Sequence, residues 1–427
     1  MRFRDLDAWL NWQGGLHPKD IELGLDRVEA VWRRLGPKPP PFPVITVGGT
    51  NGKGSCVAML EAILRAAGYR TACYSSPHLL RYNERVRLDA EPVADRALCE
   101  AFDRVDRARR DIALTYFEFG TLAALDLFVR AEPDLALLEV GLGGRLDAVN
   151  LLDPDVSVVT SIGLDHTAWL GESLDQIAGE KAGIFRRDRP AIIGQRDAPT
   201  RLRAEAERLG SLPRQLGREL DWELGSGGWI WVGPGGERLA LPGPAMRGTF
   251  QYDNASAAIA ALRELGGRLP VPVNAIRSGL QRAQLRGRFQ VVPGRPCCIL
   301  DVAHNGAAGD ALAANLRAFA CPGRTRAVLA VLSDKAPEAL VRPLLPLVDE
   351  WYLAQSDDPR AMSVGVLSAR LAPLLSARPA VVHRTVGAAL AAAESASGSG
   401  DCLLVVGSFT TVGEALRRLE EARSAWG

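Results

Sequence analysis

The sequence predicts an α/β protein of two domains. Short, near-continuous apolar runs alternate with helical stretches along the 427 residues. A glycine loop carrying one lysine separates the first clear run from a helical pattern. The strand–helix alternation then starts afresh beyond Gly287-Arg288. Apolar runs without polar alternation are what a parallel sheet covered on both faces requires.

In the first part the expected strands are Val44–Val47, Thr71–Tyr74, Leu135–Val140, Val156–Ile162 and Ala191–Gly194. Pro39-Pro40-Pro41 is a stiff connector ahead of the first of them. Trp222–Leu241 mixes Gly, Trp and Val with charges and reads as a small β-meander or hairpin insertion. An alanine-rich helix follows from Asn254 to Gly266-Gly267, and another spans Asn274–Gln281. The second series runs Cys298–Val302, Ala327–Leu332, Trp351–Ala354, Ala380–Val382 and Leu403–Val406. With leucine- and alanine-rich helices between them, these make a compact domain of about five strands.

Composition narrows the function classes. Apolar content of 47% and charged content of 24% are ordinary for a globular protein. The formal charge of +1 argues against a nucleic acid or a membrane surface as the main partner. No apolar run approaches the roughly 20 residues of a membrane helix. The start, Met1-Arg2-Phe3-Arg4-Asp5, has no signal-peptide core. Seven cysteines without paired spacing fit reduced thiols, so a cytoplasmic location is expected. Cys297 and Cys298, adjacent on a strand, face opposite ways and are not expected to bond each other.

The chemistry starts at Gly48-Gly49-Thr50-Asn51-Gly52-Lys53-Gly54-Ser55. Strand, glycine loop and helix are the setting of a phosphate-binding loop, with Val57, Leu60, Leu64 and Ala67 at helical spacing behind it. Backbone N–H groups and the helix N-terminus favour an anion, and Lys53 reaches the outer phosphates of a nucleotide. The standard loop has Ser or Thr directly after the lysine as a Mg²⁺ ligand. Here Gly54 stands there and Ser55 comes one residue late, so a magnesium ion must draw ligands from elsewhere in the chain.

Further polar clusters end the expected strands, where ligands bind in open α/β sheets. Tyr74-Ser75-Ser76-Pro77-His78 is either an ordinary turn or a hydroxyl aimed from a strand end, because Pro77 keeps Ser76 extended. Glu139, in Glu139-Val140-Gly141-Leu142-Gly143-Gly144, closes an apolar strand where a carboxylate needs a partner or a metal. His166, in Gly163-Leu164-Asp165-His166, is either a third ligand beside Ser76 and Glu139 or a hydrogen-bonding turn residue; magnesium prefers oxygen. Lys181, in Gly179-Glu180-Lys181-Ala182-Gly183, reads by itself as solvent-facing. Asp301-Val302-Ala303-His304-Asn305, Ser333-Asp334-Lys335 and Gly407-Ser408 end strands of the second series. Two such domains suggest a cleft closing on a nucleotide and a second reactant, with Arg288 at its hinge.

The most specific segments are Gly-Thr-Asn-Gly-Lys-Gly-Ser at 49–55, Ser-Ser-Pro-His at 75–78, Leu-Glu-Val-Gly-Leu-Gly-Gly-Arg-Leu-Asp-Ala at 138–148 and Leu-Asp-His-Thr-Ala-Trp-Leu-Gly at 164–171. Phe-Glu-Phe-Gly-Thr-Leu-Ala-Ala-Leu at 117–125, Glu-Lys-Ala-Gly-Ile-Phe-Arg at 180–186 and Asp-Val-Ala-His-Asn at 301–305 complete the set. In this order they make the chain similar, over nearly its whole length, to the folylpolyglutamate synthase/dihydrofolate synthase enzymes of the Mur ligase superfamily. The resemblance implies an N-terminal ATP-binding domain of the Mur ligase central type over 1–287, with a mainly parallel sheet. It implies a Rossmann-like ligase domain over 288–427, and we expect a monomer.

By the same resemblance, Thr50, Asn51, Gly52 and Lys53 hold ATP with Gly54 and Ser55 close by, and Asn254, Arg288 and Asp301 add nucleotide contacts. Ser76, Glu139 and His166 match magnesium ligands. Lys181 matches a lysine carrying a CO₂-derived carbamate that supports a second ion, a modification that needs the neutral amine. Asp20, Ile21, Glu22, Leu23, Thr115, Leu146, Asp147 and Ala148 match the region for dihydropteroate or a reduced folate. His304 and Ser408 match the place where L-glutamate is handled, so that Lys53, Lys181, His304 and Ser408 are the expected catalytic set. The implied reaction is ATP-dependent amide formation through an acyl phosphate. Alternatives are a folate-extending ligase without dihydrofolate synthase activity, and a nucleotide-gated binding or regulatory protein. Gly306, Ser333 and Thr410 depart from the usual pattern at the glutamate end, which bears on polyglutamate extension rather than on ligation.

Overall fold

The computed structural model describes residues 1–19, 21–225 and 227–424. They form two compact units, Met1–Ala245 with Thr249–Gln284, and Met246–Gly248 with Leu285 onward. Among the described residues no helix is long and apolar enough to cross a membrane.

The first unit is built on an eight-stranded sheet. Its strands are β1 (Val44–Gly48), β2 (Thr71–Tyr74), β3 (Val86–Leu88), β4 (Glu91–Pro92), β5 (Leu135–Glu139), β6 (Val156–Val159), β7 (Pro190–Ile193) and β8 (Leu212–Gln215). The order is β4-β3-β2-β5-β1-β6-β7-β8. All pairs from β2 to β8 are parallel, and β3 and β4 join as an antiparallel edge. β1, β2, β5 and β6 are buried throughout, which is why their sequences carry no alternation. The helix Lys53–Ala66 runs from the glycine loop, and Val273–Arg282 lies against it. A Cβ on Gly279 would meet the Ile63 backbone at 2.5 Å, so a glycine is needed for that approach. At the other face Trp9, Trp32, Phe102 and Phe119 form an aromatic core under the N-terminal segment.

Several expectations are corrected. β6 stops at Val159 and not at Ile162, because Thr160 and Ser161 turn their hydroxyls onto the Asn51 carbonyl, at 2.6 and 3.0 Å. The alanine-rich helix begins at Phe250, before Asn254. Trp222–Leu241 is the expected small β-meander, a separate three-stranded antiparallel sheet of β9 (Asp221–Gly225), β10 (Gly228–Val232) and β11 (Arg238–Leu241), with β10 central. Its Trp222 ring stacks on Tyr252 at 5.0 Å, fixing that sheet to the helix Phe250–Glu264. The strands β3, β4 and β8 were not expected from the sequence; they are short, and Glu91-Pro92 and Leu212-Pro213-Arg214-Gln215 are too polar for a core-strand pattern.

The second unit has a six-stranded sheet of β12 (Gln290–Val292), β13 (Cys297–Asp301), β14 (Thr325–Leu329), β15 (Glu350–Leu353), β16 (Ala380–Val382) and β17 (Cys402–Val406). The order is β12-β13-β17-β14-β15-β16; β12 is antiparallel and the other pairings are parallel. All seven cysteines are free. Cys298 points into the core, whereas Cys297 turns to Cys402 on the neighbouring strand, with the sulfurs 3.1 Å apart.

Candidate active site

Topology brings the polar clusters of the first unit to one edge. β2, β5, β1 and β6 are consecutive in the sheet, all parallel. Ser76 therefore follows β2, Glu139 ends β5, the glycine loop follows β1, and His166 lies beyond β6. All stand at the carboxyl edge, where open parallel sheets take their ligands.

The loop is braced from behind. Gly49 has φ +140°, and a Cβ there would meet Thr160 Oγ1 at 2.0 Å; Gly52 has φ +88°, and a Cβ would meet Asn254 Oδ1 at 2.4 Å. Thr50 N–H donates to the Ser161 carbonyl at 2.7 Å, and Asn51 N–H to Ser161 Oγ at 3.1 Å. Thr50 Oγ1 lies 3.0–3.1 Å from the amide and carbonyl of Gly163. Lys53 Nζ curls back to the carbonyls of Gly49 and Thr50, each at 3.1 Å. Behind Lys53, Ser55 is buried and accepts from Gln251 Nε2 at 3.5 Å; Gln251 Oε1 in turn accepts from Asn254 Nδ2 at 3.0 Å. Thr160, Ser161 and Gln251 are thus loop-positioning residues that sequence reasoning missed. The first two were hidden in an apolar run, and Gln251 stood ahead of the expected helix start.

Glu139 is buried and pairs in register with Val47, one strand from the loop. His166 has a left-handed backbone, φ +50°, at the start of the helix Thr167–Leu170, and its side chain is 38% exposed. Among the described residues no three His, Cys, Asp or Glu side chains gather as a metal site by themselves. The buried Glu139 carboxylate and the Ser76 hydroxyl are oxygen donors of the kind a hard divalent cation takes, whereas the His166 imidazole is a softer one. His78 is occupied differently. Burial and the adjacent Arg85 push its imidazole down to about 4, so it is neutral and accepts from Arg85 Nε at 2.8 Å.

Lys181 departs most from its isolated reading. It is 5% exposed, and its Nζ donates to the Gly49 carbonyl at 3.0 Å. Burial first, then repulsion from Lys53, lowers its pKa to about 7. Gly144 makes this packing feasible, since a Cβ there would strike the Glu180 carbonyl at 2.8 Å.

The candidate substrate residues lie in the same unit. Thr115 caps the helix Tyr116–Ala131 reciprocally with Glu118. Asp147 is a brace: its carboxylate accepts from Leu142 N at 2.7 Å and Val149 N at 3.0 Å, and burial raises its pKa to about 6. Leu146 offers its carbonyl to Gly24 N at 3.2 Å, and Ala148 is buried. Ile21, Glu22 and Leu23 are half-buried, and Asp20 lies outside the described residues.

In the second unit β13, β17 and β14 are neighbours, so the segments after Asp301, Val406 and Leu329 share one edge. Asp301 accepts from the amides of Phe289 and Ala303, both at 2.8 Å; burial raises its pKa against the pull of Arg288. Arg288 lies over the Phe409 ring at 5.1 Å. His304 Nδ1 donates to the Val302 carbonyl at 2.8 Å, which sets its tautomer. Ser408 is buried and its Oγ accepts from Thr411 N at 3.0 Å at the start of the helix Phe409–Ser424, with Thr410 and Thr411 hydroxyls at 2.8 and 2.6 Å. This hydroxyl is engaged as a helix cap.

Residues 47–211 match the Mur ligase middle domain, and residues 287–409 match the Mur ligase glutamate ligase domain. The dihydrofolate synthase/folylpolyglutamate synthase of Escherichia coli is 44% identical over 98% of this chain and 96% of its own length. The structure of E. coli FolC in complex with DHPP and ADP superposes with a TM-score of 0.91, at 42% identity and 98% coverage of both chains. The Yersinia pestis bifunctional folylpolyglutamate synthase/dihydrofolate synthase, complexed with AMPPNP and Mn ion, gives 0.89 at 43% identity, covering 97% of this chain and 98% of that one.

Proposed function

The chain belongs to the Mur ligase family, in its dihydrofolate synthase/folylpolyglutamate synthase branch, and from that premise we propose that it uses ATP to join L-glutamate to dihydropteroate and extends reduced folates by further glutamates. The observation that carries this reading is the edge of the first unit. A braced phosphate loop, a buried carboxylate and a buried lysine with a lowered pKa stand on or beside adjacent strand ends.

Thr50, Asn51, Gly52, Gly54 and Ser55 shape the loop that takes the triphosphate, with Asn254 holding Gly52 from the helix behind it. Lys53 exchanges two loop carbonyls for phosphate oxygens as charge develops there. Ser76, Glu139 and His166 would hold a magnesium ion, which would neutralise phosphate charge. The substrate carboxylate attacks the terminal phosphorus in line, giving an acyl phosphate and ADP. The amine of glutamate then attacks the acyl carbon, and phosphate leaves as the amide forms.

Lys181, neutral for about half the time near pH 7, is poised to add CO₂ and become an anion facing the loop. Ile21, Glu22, Leu23, Thr115 and Leu146 shape the pterin site, and Asp147 and Ala148 stabilise it from beneath. Arg288 and Asp301 serve the nucleotide. His304 serves the glutamate amine, and Ser408 keeps the neighbouring helix start in place. We take the protein as a monomer.

The test is ADP release in purified protein. Release should need both a pterin acceptor and glutamate, with dihydropteroate and tetrahydrofolate compared side by side. ADP formation with neither acceptor would remove the ligase reading. Activity with tetrahydrofolate alone would leave only the folate-extending reaction.

A further inference from the structure

One guanidinium in the first unit joins two segments of the proposed pterin site, and no catalytic step uses it. Arg27 lies in the first turn of the short helix Asp26–Trp32. Its Nη2 donates to Glu118 Oε1 and to the Glu22 carbonyl, both at 2.9 Å, and its Nε donates to Glu118 Oε1 at 3.1 Å. Its Nη1 stands 3.7 Å from the Glu22 carboxylate. The Glu118 side chain is 4% exposed, so this carboxylate requires a cation, and Arg27 supplies it.

Both partners lead to candidate substrate residues. Glu118 Oε2 accepts the Thr115 N–H at 2.8 Å and closes the helix cap. Glu22 is in the 21–23 segment, where its side chain also meets His17 Nε2 at 2.9 Å. One residue beyond Leu23, Gly24 N–H donates to the Leu146 carbonyl. The 21–24 backbone is therefore tied at one end to the Thr115 cap, through Arg27, and at the other to Leu146. Each tie is a hydrogen bond of fixed direction, and the fork is what lets one side chain serve a carboxylate and a carbonyl together.

We propose that Arg27 is a positioning residue for the pterin substrate, holding the 21–24 backbone in register with Thr115. The proposal rests on the function proposed above. It acts through Glu22 and Glu118 and touches neither the phosphate loop nor the metal ligands. A lysine would keep the charge but has a single nitrogen with no planar fork, so it cannot reproduce the geometry at both partners.

The experiment is steady-state ADP release by the full chain with dihydropteroate varied at saturating ATP and glutamate, and then with ATP varied. In Arg27→Ala the KM for dihydropteroate should rise at least about tenfold, while kcat and the KM for ATP stay within about twofold. Arg27→Lys should recover only part of that loss. An unchanged dihydropteroate KM in Arg27→Ala overturns the proposal, as does an equal rise in the KM for ATP, which would mean general loosening. Should Arg27→Ala fail to fold, Arg27→Lys and Arg27→Gln decide by the same split, and wild-type values in both overturn the proposal. Failure of the functional reading is separate, because it shows in the wild type as no dihydropteroate-dependent ADP release.

Discussion

Lys181 should take up CO₂ with a pH profile no ordinary lysine has. The amine must be neutral to attack CO₂, and its pKa is lowered from 10.5 to about 7 by burial and by Lys53. The neutral fraction then climbs from about a tenth at pH 6 to about nine-tenths at pH 8, a rise of about tenfold that levels off above. An unperturbed amine would climb about a hundredfold over the same interval and keep climbing. The assay is the initial rate of carbamate formation at fixed dissolved CO₂, followed by ¹³C NMR with labelled CO₂, with Lys181→Met as the blank. A hundredfold climb, or a signal that survives in Lys181→Met, would refute the argument. Between about pH 7 and 10.5 the unfolded chain binds the extra proton, so this group's contribution to stability grows more favourable as pH rises through that window.

Other perturbations have defined outcomes. Gly52→Ala must place a Cβ 2.4 Å from Asn254 Oδ1 at φ +88°, and should weaken binding of a non-hydrolysable ATP analogue at least about tenfold by calorimetry. Glu139→Gln keeps the shape but removes the buried charge; Mn²⁺ affinity in the presence of nucleotide, read by EPR, should fall at least about tenfold. Arg326 is 6% exposed and pairs with Glu350 at 2.9 Å and Asp401 at 2.6 Å. Arg326→Met should therefore destabilise the second unit, seen as an earlier urea transition. Lys181→Ala should lose most turnover, with partial recovery on adding small carboxylates.

What the sequence could reveal followed from how local each signal was. The strand, glycine loop and helix around Lys53 were legible because those residues are contiguous. Glu139 and His166 were legible as ionisable groups at the ends of apolar runs, a placement that needs a reason wherever it occurs. Lys181 was not legible from its surroundings in the chain: Glu180-Lys181-Ala182-Gly183 has no pattern that separates a buried lysine from an exposed one. Its burial depends on Gly144 and Gly49, which are remote in sequence. Thr160 and Ser161 were absorbed into a strand because they extend an apolar run, and only their bonds to Asn51 end it. The role of Ser408 at the glutamate end comes from resemblance alone, and its place after a strand gave no sign that its hydroxyl also accepts the Thr411 N–H as a helix cap. The inner parallel strands were legible because burial on both faces leaves a plain apolar signature; β8, parallel but polar and at a sheet margin, leaves none, and neither does the antiparallel β4.

The triplet Met246-Arg247-Gly248 belongs to the second unit although the chain on either side of it belongs to the first. The Arg247 guanidinium lies 5.6 Å from the Phe319 ring centre, so the triplet carries a cation–π contact of that unit. A carboxy-terminal fragment begun at Leu285 would leave this contact behind. Anyone wishing to express the glutamate ligase half separately should graft the triplet back through a linker, or expect Phe319 to lose its cover.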